Sequence, residues 1–395
     1  MRTYKRAPVD FVRGEGPLLW DADGKEYLDF LTGISVCSLG HCHPAVVEAV
    51  REQAGRLMHV SNLFYTEPMA RLAQRLSESS LGGRVFFSNS GTEAVECAIK
   101  VARKHAHERG IAEPEIVSFQ RDFHGRSYGA LAATPSLAAN EALGPMLPGF
   151  RAVPHNDAAA LREAVGERTA AVLVEPIQGE AGVWPTSDEA LLAARQACDE
   201  AGALLILDEI QTGVGRTGKL FAYEWTGIAP DIMSVAKGIG GGFPLGACLA
   251  TAEAAKGMTV GSHGTTFGGN PLAMAVGNAV LDVVLAPGFL EHVRQMGLLL
   301  KQRLAELKDR HPAVIAEIRG QGLLLGLRLN VPIADFVDAA LRQKLLTIAA
   351  GENVARLLPP LIVEEGDIRE AVDRIDAACE ALEKDMRALT QRGAA

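Results

Sequence analysis

The sequence predicts an α/β fold: a mostly parallel central sheet with helices on both faces, plus a smaller α+β C-terminal domain and an N-terminal arm. Three observations predict it. Short apolar runs rich in Val, Ile and Leu recur at 116–119, 171–177, 203–207 and 232–235, and such runs suit strands buried on both faces. Helical patterns lie between them, and alternating β and α segments argue for parallel strands joined by crossover helices. After about residue 270 the pattern changes to a long helical stretch, short strand candidates and a final helix.

In chain order, PLLWDADGKEYLDF reads as a hairpin turning at Asp23-Gly24. It belongs to an arm, 1–45, expected to pack on the small domain or on a partner subunit. The large domain is expected over 46–272. Within it Val85, Phe86 and Phe87 form a strand, and a helix with Val95, Ala98, Ile99 and Ala102 on its apolar face follows. SDEALLAARQACDEAG, 187–202, is a second helix with Gly202 as its stop. The small domain is expected over 273–395. Its helical stretch from Leu272 to His311 breaks near Pro287-Gly288, strand candidates lie around 314–319, 323–329 and 354–358, and an amphipathic helix runs from about Asp367 to Gln391.

Composition narrows the function. The chain has 395 residues, 48% of them hydrophobic, and a net charge of −9. That composition excludes general disorder and argues against broad nucleic-acid binding. No uncharged apolar run has the ~18 residues of a membrane span, and the N-terminus has no secretory h-region, so a cytoplasmic protein is expected. Six scattered cysteines without a Cys-x-x-Cys fit reduced thiols. His41-Cys42-His43 has the residue types of a metal cluster. Neighbouring residues of an extended segment point apart, and no second ligand group stands at matching spacing, so no metal site is expected.

Three segments carry chemistry. In FFSNSGTEAVECAIKVAR, 86–103, Ser90-x-x-Glu93 is a capping box. The helix start beyond it, with Gly91 and the Ser90 and Thr92 hydroxyls, forms an anion site if it is more than an ordinary capped helix. In LLILDEIQTGVGRTG, 204–218, a buried strand delivers Asp208 and Glu209 at its C-terminal end. Open α/β sheets bind ligands at that end, and an acid there can pair with a cationic nitrogen; the plainer reading is a surface acid pair. The GVGRTG letters match a dinucleotide fingerprint, but five residues separate the strand from the first glycine and LFAYEW follows without helical character. In DIMSVAKGIGGGFPLGA, 231–247, a strand ends at Lys237 before a run of glycines. Lys237 is the only charged residue between Asp231 and Glu253, which argues against a solvated loop lysine and for a desolvated amine of lowered pKa. A phosphate cradle, an acid and a desolvated lysine together are what pyridoxal 5′-phosphate requires.

The sequence resembles the class III (ω-amino acid) aminotransferases of fold type I, the pyridoxal-phosphate-dependent transferases, and within them the acetylornithine branch. The resemblance runs from RGEGPLLWDADGKEYLDF through SLGHCHP, VSNLFYTEP, FFSNSGTEAVECAIKVAR, FHGRSYGAL, VEPIQGEAGV, LLILDEIQTGVGRTG, PDIMSVAKGIGGGFPLGA and GTTFGGNPLA to RLLPPL. Ten motifs in family order make it specific. Two departures are local: GTEAVE stands where GTEANE is the more usual form, and SVCSLGHCHP carries two cysteines in place of small apolar residues.

The resemblance implies roles. Lys237 forms the internal aldimine and moves the proton, and Asp208 pairs with the pyridinium nitrogen. Gln211 lies near the ring's phenolic oxygen, Phe123 stacks on the ring, and Ser90, Gly91 and Thr92 hold the phosphate. Thr266 does so from the neighbouring subunit, which makes a homodimer with shared sites necessary, and Thr265 lies close to the substrate. The implied reaction passes the terminal amine of N-acetylornithine to 2-oxoglutarate in two half-reactions. Arg126 would grip the carboxylate common to both substrates, and a guanidinium fork suits that. Arg356 would take glutamate's α-carboxylate, and Glu180 would pair with Arg356 when the other substrate is bound, because an unpaired buried charge is costly. Ornithine, 4-aminobutyrate, succinyl-diaminopimelate and lysine-pathway substrates stay open. So do a different reaction on the same cofactor and a cofactor-free binding protein on this scaffold.

Overall fold

The computed structural model describes residues 1–138 and 141–393. The arm opens with an antiparallel meander of β1 (Phe11–Glu15), β2 (Leu18–Asp21) and β3 (Glu26–Asp29). The β2–β3 turn lies at Asp23-Gly24. The Asp21 carboxylate fixes it by accepting from the Asp23 and Lys25 N–H groups at 3.0 and 2.8 Å.

The chain then lays down β4 (Arg84–Ser88), β5 (Glu115–Phe119), β6 (Phe150–Val153) and β7 (Thr169–Val174). Pro176 ends the 171–177 run early, and two short paired strands follow, β8 (Ile177–Gln178) and β9 (Trp184–Pro185). The chain returns as β10 (Leu204–Asp208), β11 (Ile232–Val235) and β12 (Gly246–Ala250). Seven of these strands form one sheet in the order β4-β12-β11-β10-β7-β5-β6, with β12 antiparallel to both neighbours. Alternation decides its two faces. Leu173, Leu204 and Ile206 pack under Val95, Ala98, Ile99 and Ala102 of the helix Gly91–Glu108. Val172, Leu205 and Leu207 pack against Leu191, Ala194 and Cys198 of the helix Asp188–Ala201 on the other side. The segment LFAYEW contains a single 3₁₀ turn, Ala222–Trp225, rather than a helix able to complete a dinucleotide fold.

Two helices follow, Pro271–Val284 and Phe289–Arg310, separated near Gly288. The first packs Met274, Val276 and Val280 against Met233, Val235 and Leu249 of the large sheet. The second packs Val293, Leu300 and Leu304 into another core. The change of core therefore falls at 285–288, beyond the 272/273 division read from the sequence. The second core holds β13 (Ile315–Gln321), β14 (Leu324–Leu329), β15 (Leu345–Leu346), β16 (Ile348–Ala350) and β17 (Val354–Leu357), and the helices Ile333–Arg342 and Glu365–Gly393. Four of the strands form a sheet in the order β13-β14-β17-β16. β15 joins the arm instead: Leu345 lies opposite Leu28 on β3, in parallel, and Leu28 and Phe30 are fully buried in this core.

Arg216 of the GVGRTG segment ties the two cores together. It is almost wholly buried and donates to the carbonyls of Leu323 and Pro359. Burial away from water disfavours its charge and lowers its pKa to about 9. His41 and His43 have local duties. His41 Nε2 bonds the Asp29 carboxylate at 2.7 Å, and His43 Nδ1 accepts from the Ala45 N–H to cap the helix Pro44–Ala54. Among the described residues no single helix is long and apolar enough to cross a membrane.

Candidate active site

β4, β5, β10 and β11 all run the same way, so their C-terminal ends lie on one edge of the sheet. Open α/β sheets hold ligands at that edge. Here it opens into a cavity of about 400 Å³, lined by Ser90, Gly91, Thr92, Phe123, Arg126, Asp208, Gln211 and Lys237 among others.

At one end lies the start of the helix Gly91–Glu108. Ser90 is its N-cap, and its hydroxyl accepts from the Glu93 N–H at 3.4 Å. Glu93 reaches back one residue further than a simple capping box requires, accepting from the Asn89 N–H at 2.7 Å. Glu93 thus braces the turn and leaves the first N–H groups of the helix facing the cavity, a ready anion site. The Thr92 hydroxyl is already engaged: it accepts from the N–H groups of Arg126 and Ser127, each at 3.2 Å, and contacts the Ser127 hydroxyl at 2.7 Å. Gly125 permits this, because a Cβ there would sit 2.3 Å from the Thr92 oxygen. The Thr92 hydroxyl is thus occupied, which leaves its backbone N–H as the group an anion there could use.

The acid is Asp208, buried at the tip of β10. One carboxylate oxygen contacts His124 Nδ1 at 2.8 Å and the other accepts from the Ile210 N–H at 3.1 Å. His124 is fully enclosed, and its other nitrogen lies 3.5 Å from Asp122. Burial disfavours charge on this ring, but the neighbouring carboxylates of Asp122 and Asp208 outweigh it and raise the pKa to about 10. Glu209 turns away from the cavity, accepting from the Thr212 hydroxyl and the Tyr223 N–H.

Lys237 follows β11 in the left-handed region, at φ +48°, which is uncommon for a residue with a side chain. Desolvation, and then the nearby charge of Arg356, push its pKa below the ordinary lysine value. No hydrogen bond or ion pair engages its amine among the described residues.

Arg356, on β17 of the small sheet, reaches the cavity-lining residue Gln211. It is fully buried, and one nitrogen donates to Glu180 at 2.8 Å and to the Gln211 side-chain oxygen at 2.9 Å. Its Nε and other terminal nitrogen have no partner. For Glu180, burial works against ionisation, but the Arg356 charge and hydrogen bond prevail and hold its pKa below the usual carboxylate value. Arg126 is exposed at the mouth, its guanidinium 5.1 Å from the Phe123 ring centre.

The structure thus places eight of the twelve residues singled out by sequence around one cavity, and Arg356, with Glu180 bonded to it, adjoins that cavity through Gln211. Thr265 and Thr266 are not brought there within one chain: Thr265 accepts from the Gly268 N–H, and Thr266 is exposed. Sequence reasoning misses His124 and Glu175. Glu175 accepts from the N–H groups of Phe123 and Gly179 at 2.7 and 3.2 Å, so one side chain holds two loops of the site. Desolvation, reinforced by Asp122, raises its pKa well above the ordinary value. The one available signal for His124 is its place beside Phe123 in the loop that follows β5.

Residues 1–379 match the family model of the class-III aminotransferases, and the chain belongs to that family. It is 55% identical over 381 residues to the acetylornithine aminotransferase of Agrobacterium fabrum, covering 96% of both chains. Among solved structures it is similar to the acetylornithine aminotransferase of Elizabethkingia anophelis, with a TM-score of 0.86, 36% identity and 96% of both chains covered. It is also similar to an ornithine aminotransferase of Toxoplasma gondii whose structure shows partial occupancy of PLP at its active site. There the TM-score is 0.93 and the identity 34%, over 98% of this chain and 93% of that one. The fold is accordingly the type I fold of the PLP-dependent transferases. The cavity fits pyridoxal 5′-phosphate on its own terms: free helix N–H groups at one end, a buried carboxylate paired with a histidine at the other, and an unpartnered, desolvated amine between loops.

Proposed function

We propose that the protein transfers the terminal amine of N-acetylornithine to 2-oxoglutarate, giving N-acetylglutamate 5-semialdehyde and glutamate, a step of arginine biosynthesis. The observation that carries this reading is the buried Arg356 held by Glu180 at 2.8 Å. The reacting carbon of N-acetylornithine bears no carboxylate, whereas that of glutamate does. A site serving both needs a cation that can be covered or uncovered. Similarity to relatives named acetylornithine aminotransferase supports the same reading.

Pyridoxal 5′-phosphate, when bound, supplies an aldehyde and an electron-withdrawing ring. The chain's own residues do the rest. The helix start at Ser90, Gly91 and Thr92 would hold the phosphate, Phe123 would cover a ring face, Gln211 would reach the phenolic oxygen, and Asp208 would face the ring nitrogen. His124, protonated at neutral pH by its raised pKa, orients the Asp208 carboxylate and balances its charge. The Lys237 amine, with its pKa lowered, is available both as a nucleophile and as a proton carrier at the substrate carbon. Arg126 at the mouth would bind the distal carboxylate of either substrate. Glu180 swings aside when an α-carboxylate arrives at the two unpartnered nitrogens of Arg356.

A homodimer completes this reading. Thr265 and Thr266 lie in a loop beside Val260 and Phe267, both largely exposed, and near Leu63, Phe64 and Tyr65, exposed as well. Asn62 joins the two segments by donating to the Gly268 carbonyl at 2.7 Å. Exposed apolar side chains gathered in this way mark an interface, and a second copy seated there would bring Thr266 to the phosphate and Thr265 to the substrate. The proposal includes an arm (1–45), a large domain whose boundary with the small one we move to 285–288, and a cytoplasmic location that suits six free thiols. It is tested by kcat/KM for N-acetylornithine, ornithine, 4-aminobutyrate and N-succinyl-diaminopimelate against 2-oxoglutarate. N-acetylornithine is expected to rank first, and a tenfold preference for another donor overturns the assignment.

A further inference from the structure

The turn between β16 and β17 is unusual. Glu352 and Asn353 both lie in the left-handed region, at φ +56° and +62°, where residues with side chains are uncommon. Asn353 secures its own position: its side chain accepts from the Ile333 N–H and donates to the carbonyls of Leu329 and Val331. Glu352 reaches outward. Its carboxylate accepts from the Trp184 indole N–H at 2.8 Å, from Arg319 at 3.3 Å and from Arg121. The Arg319 side chain is 5% exposed, and its guanidinium lies 3.5 Å from the Trp184 ring centre. An isolated surface ion pair contributes little. Here one carboxylate joins donors from three separate segments, one of them a buried guanidinium.

Each segment leads into the site. Arg121 is two residues before Phe123. Trp184 ends the loop that carries Glu180. Arg319 belongs to the small sheet, and Glu352 itself is four residues before Arg356. The turn also rests on the Glu180 loop by backbone alone. The Gly351 N–H donates to the Glu180 carbonyl at 2.8 Å. A Cβ on Gly351 would lie 2.6 Å from the Ala181 carbonyl, and one on Gly182 would lie 2.7 Å from that of Gly351. The spacing between Glu180 and Arg356 is therefore set by how the 351–353 turn sits on the 180–182 loop.

We infer that Glu352 is a positioning residue that sets the Glu180–Arg356 pair and so governs discrimination between the two half-reactions. This rests on the reading of that pair given above. Without the Glu352 carboxylate the turn loses its hold on Trp184 and Arg121, Glu180 retreats, and Arg356 is left uncovered. The half-reaction with an ω-amine, whose reacting carbon carries no carboxylate, then suffers. The glutamate half-reaction, which supplies its own carboxylate to Arg356, does not.

The test uses Glu352→Gln and Glu352→Ala holoenzymes in single-turnover half-reactions, with glutamate and with the best ω-amine donor of the wild type. The amine half-reaction is expected to slow on the order of tenfold, since small misplacements at a reacting centre are costly. The glutamate half-reaction is expected to stay within about twofold, and Glu352→Ala is expected to add nothing in a Glu180→Ala background. Hydrogen exchange on the cofactor-free protein should rise at 180–183 and 351–356 and stay unchanged in β7 and β10. Equal losses in both half-reactions, no loss in either, full additivity with Glu180→Ala, or unchanged exchange at the turn would each overturn the inference. Failure of the acetylornithine assignment is a separate result, visible as a different best donor of the wild type.

Discussion

Glu180 and Arg356 meet at 2.8 Å with unequal freedom: the arginine side chain is fully enclosed and the glutamate 35% exposed. The enclosed cation has no room to leave, so the partly exposed carboxylate is the partner with freedom to move. Removing it leaves a buried guanidinium whose remaining side-chain partner is Gln211, and uncompensated buried charge is strongly unfavourable. Glu180→Ala is expected to slow the amine half-reaction on the order of tenfold or more, with a smaller effect on the glutamate half-reaction. Rapid-mixing absorbance of each half-reaction checks this, and equal effects would remove the switching role.

Asp208→Asn is expected to lower kcat by about a hundredfold or more, since a fixed charge facing the reacting system is lost. The same change has a signature independent of turnover. Burial disfavours the charged His124 ring, and Asp122 and Asp208 together bring its pKa to about 10. With one carboxylate gone that pKa should fall, which NMR titration of the imidazole in the cofactor-free protein reads directly.

Lys237→Ala is expected to reduce turnover on the order of 10⁴-fold or more, the upper range for loss of a proton carrier. Visible absorbance from lysine-bound cofactor should vanish. Borohydride reduction and peptide mapping of the wild type should label Lys237, and label at another position would contradict its role.

His41 gives a pH dependence of stability. Burial opposes its protonation, but the hydrogen bond to Asp29 prevails, and the pKa rises from 6.5 to about 10. A raised folded-state pKa means the contribution is complete below pH 6.5 and disappears as pH climbs toward 10. His41→Gln should therefore be less stable by about 1.5–3 kcal/mol at pH 6, the range for hydrogen bonds to charged groups. The two proteins should converge near pH 10, as followed by urea unfolding midpoints.

Much of this architecture is written locally. Lys237 stands alone as a charge in an apolar segment, and Asp208 closes a continuous apolar strand, so both are visible without any partner. His124 and Glu175 are not, because their importance comes from burial and from contacts with residues 84 and 52 positions away in the chain. β12 reads GACLA and lacks β-branched residues, and β15 and β16 have two and three residues, too few for a period to register. The division proposed at 285–288, instead of the 272/273 one read from the sequence, was hidden for a related reason. Helix Pro271–Val284 is apolar around much of its surface, and periodicity does not say which of two cores it serves.

The parallel pairing of Leu28 with Leu345 has a consequence during synthesis. Leu28 and Phe30 leave the ribosome early, yet the strand that pairs with Leu28 is made more than three hundred residues later. At roughly 5–20 residues per second that interval is on the order of tens of seconds. For that long the nascent chain carries a sticky leading segment with nowhere to dock. A cell making this protein quickly has to shield it, and shortening the leading segment at the gene level would trade that hazard for a small domain with an open seam.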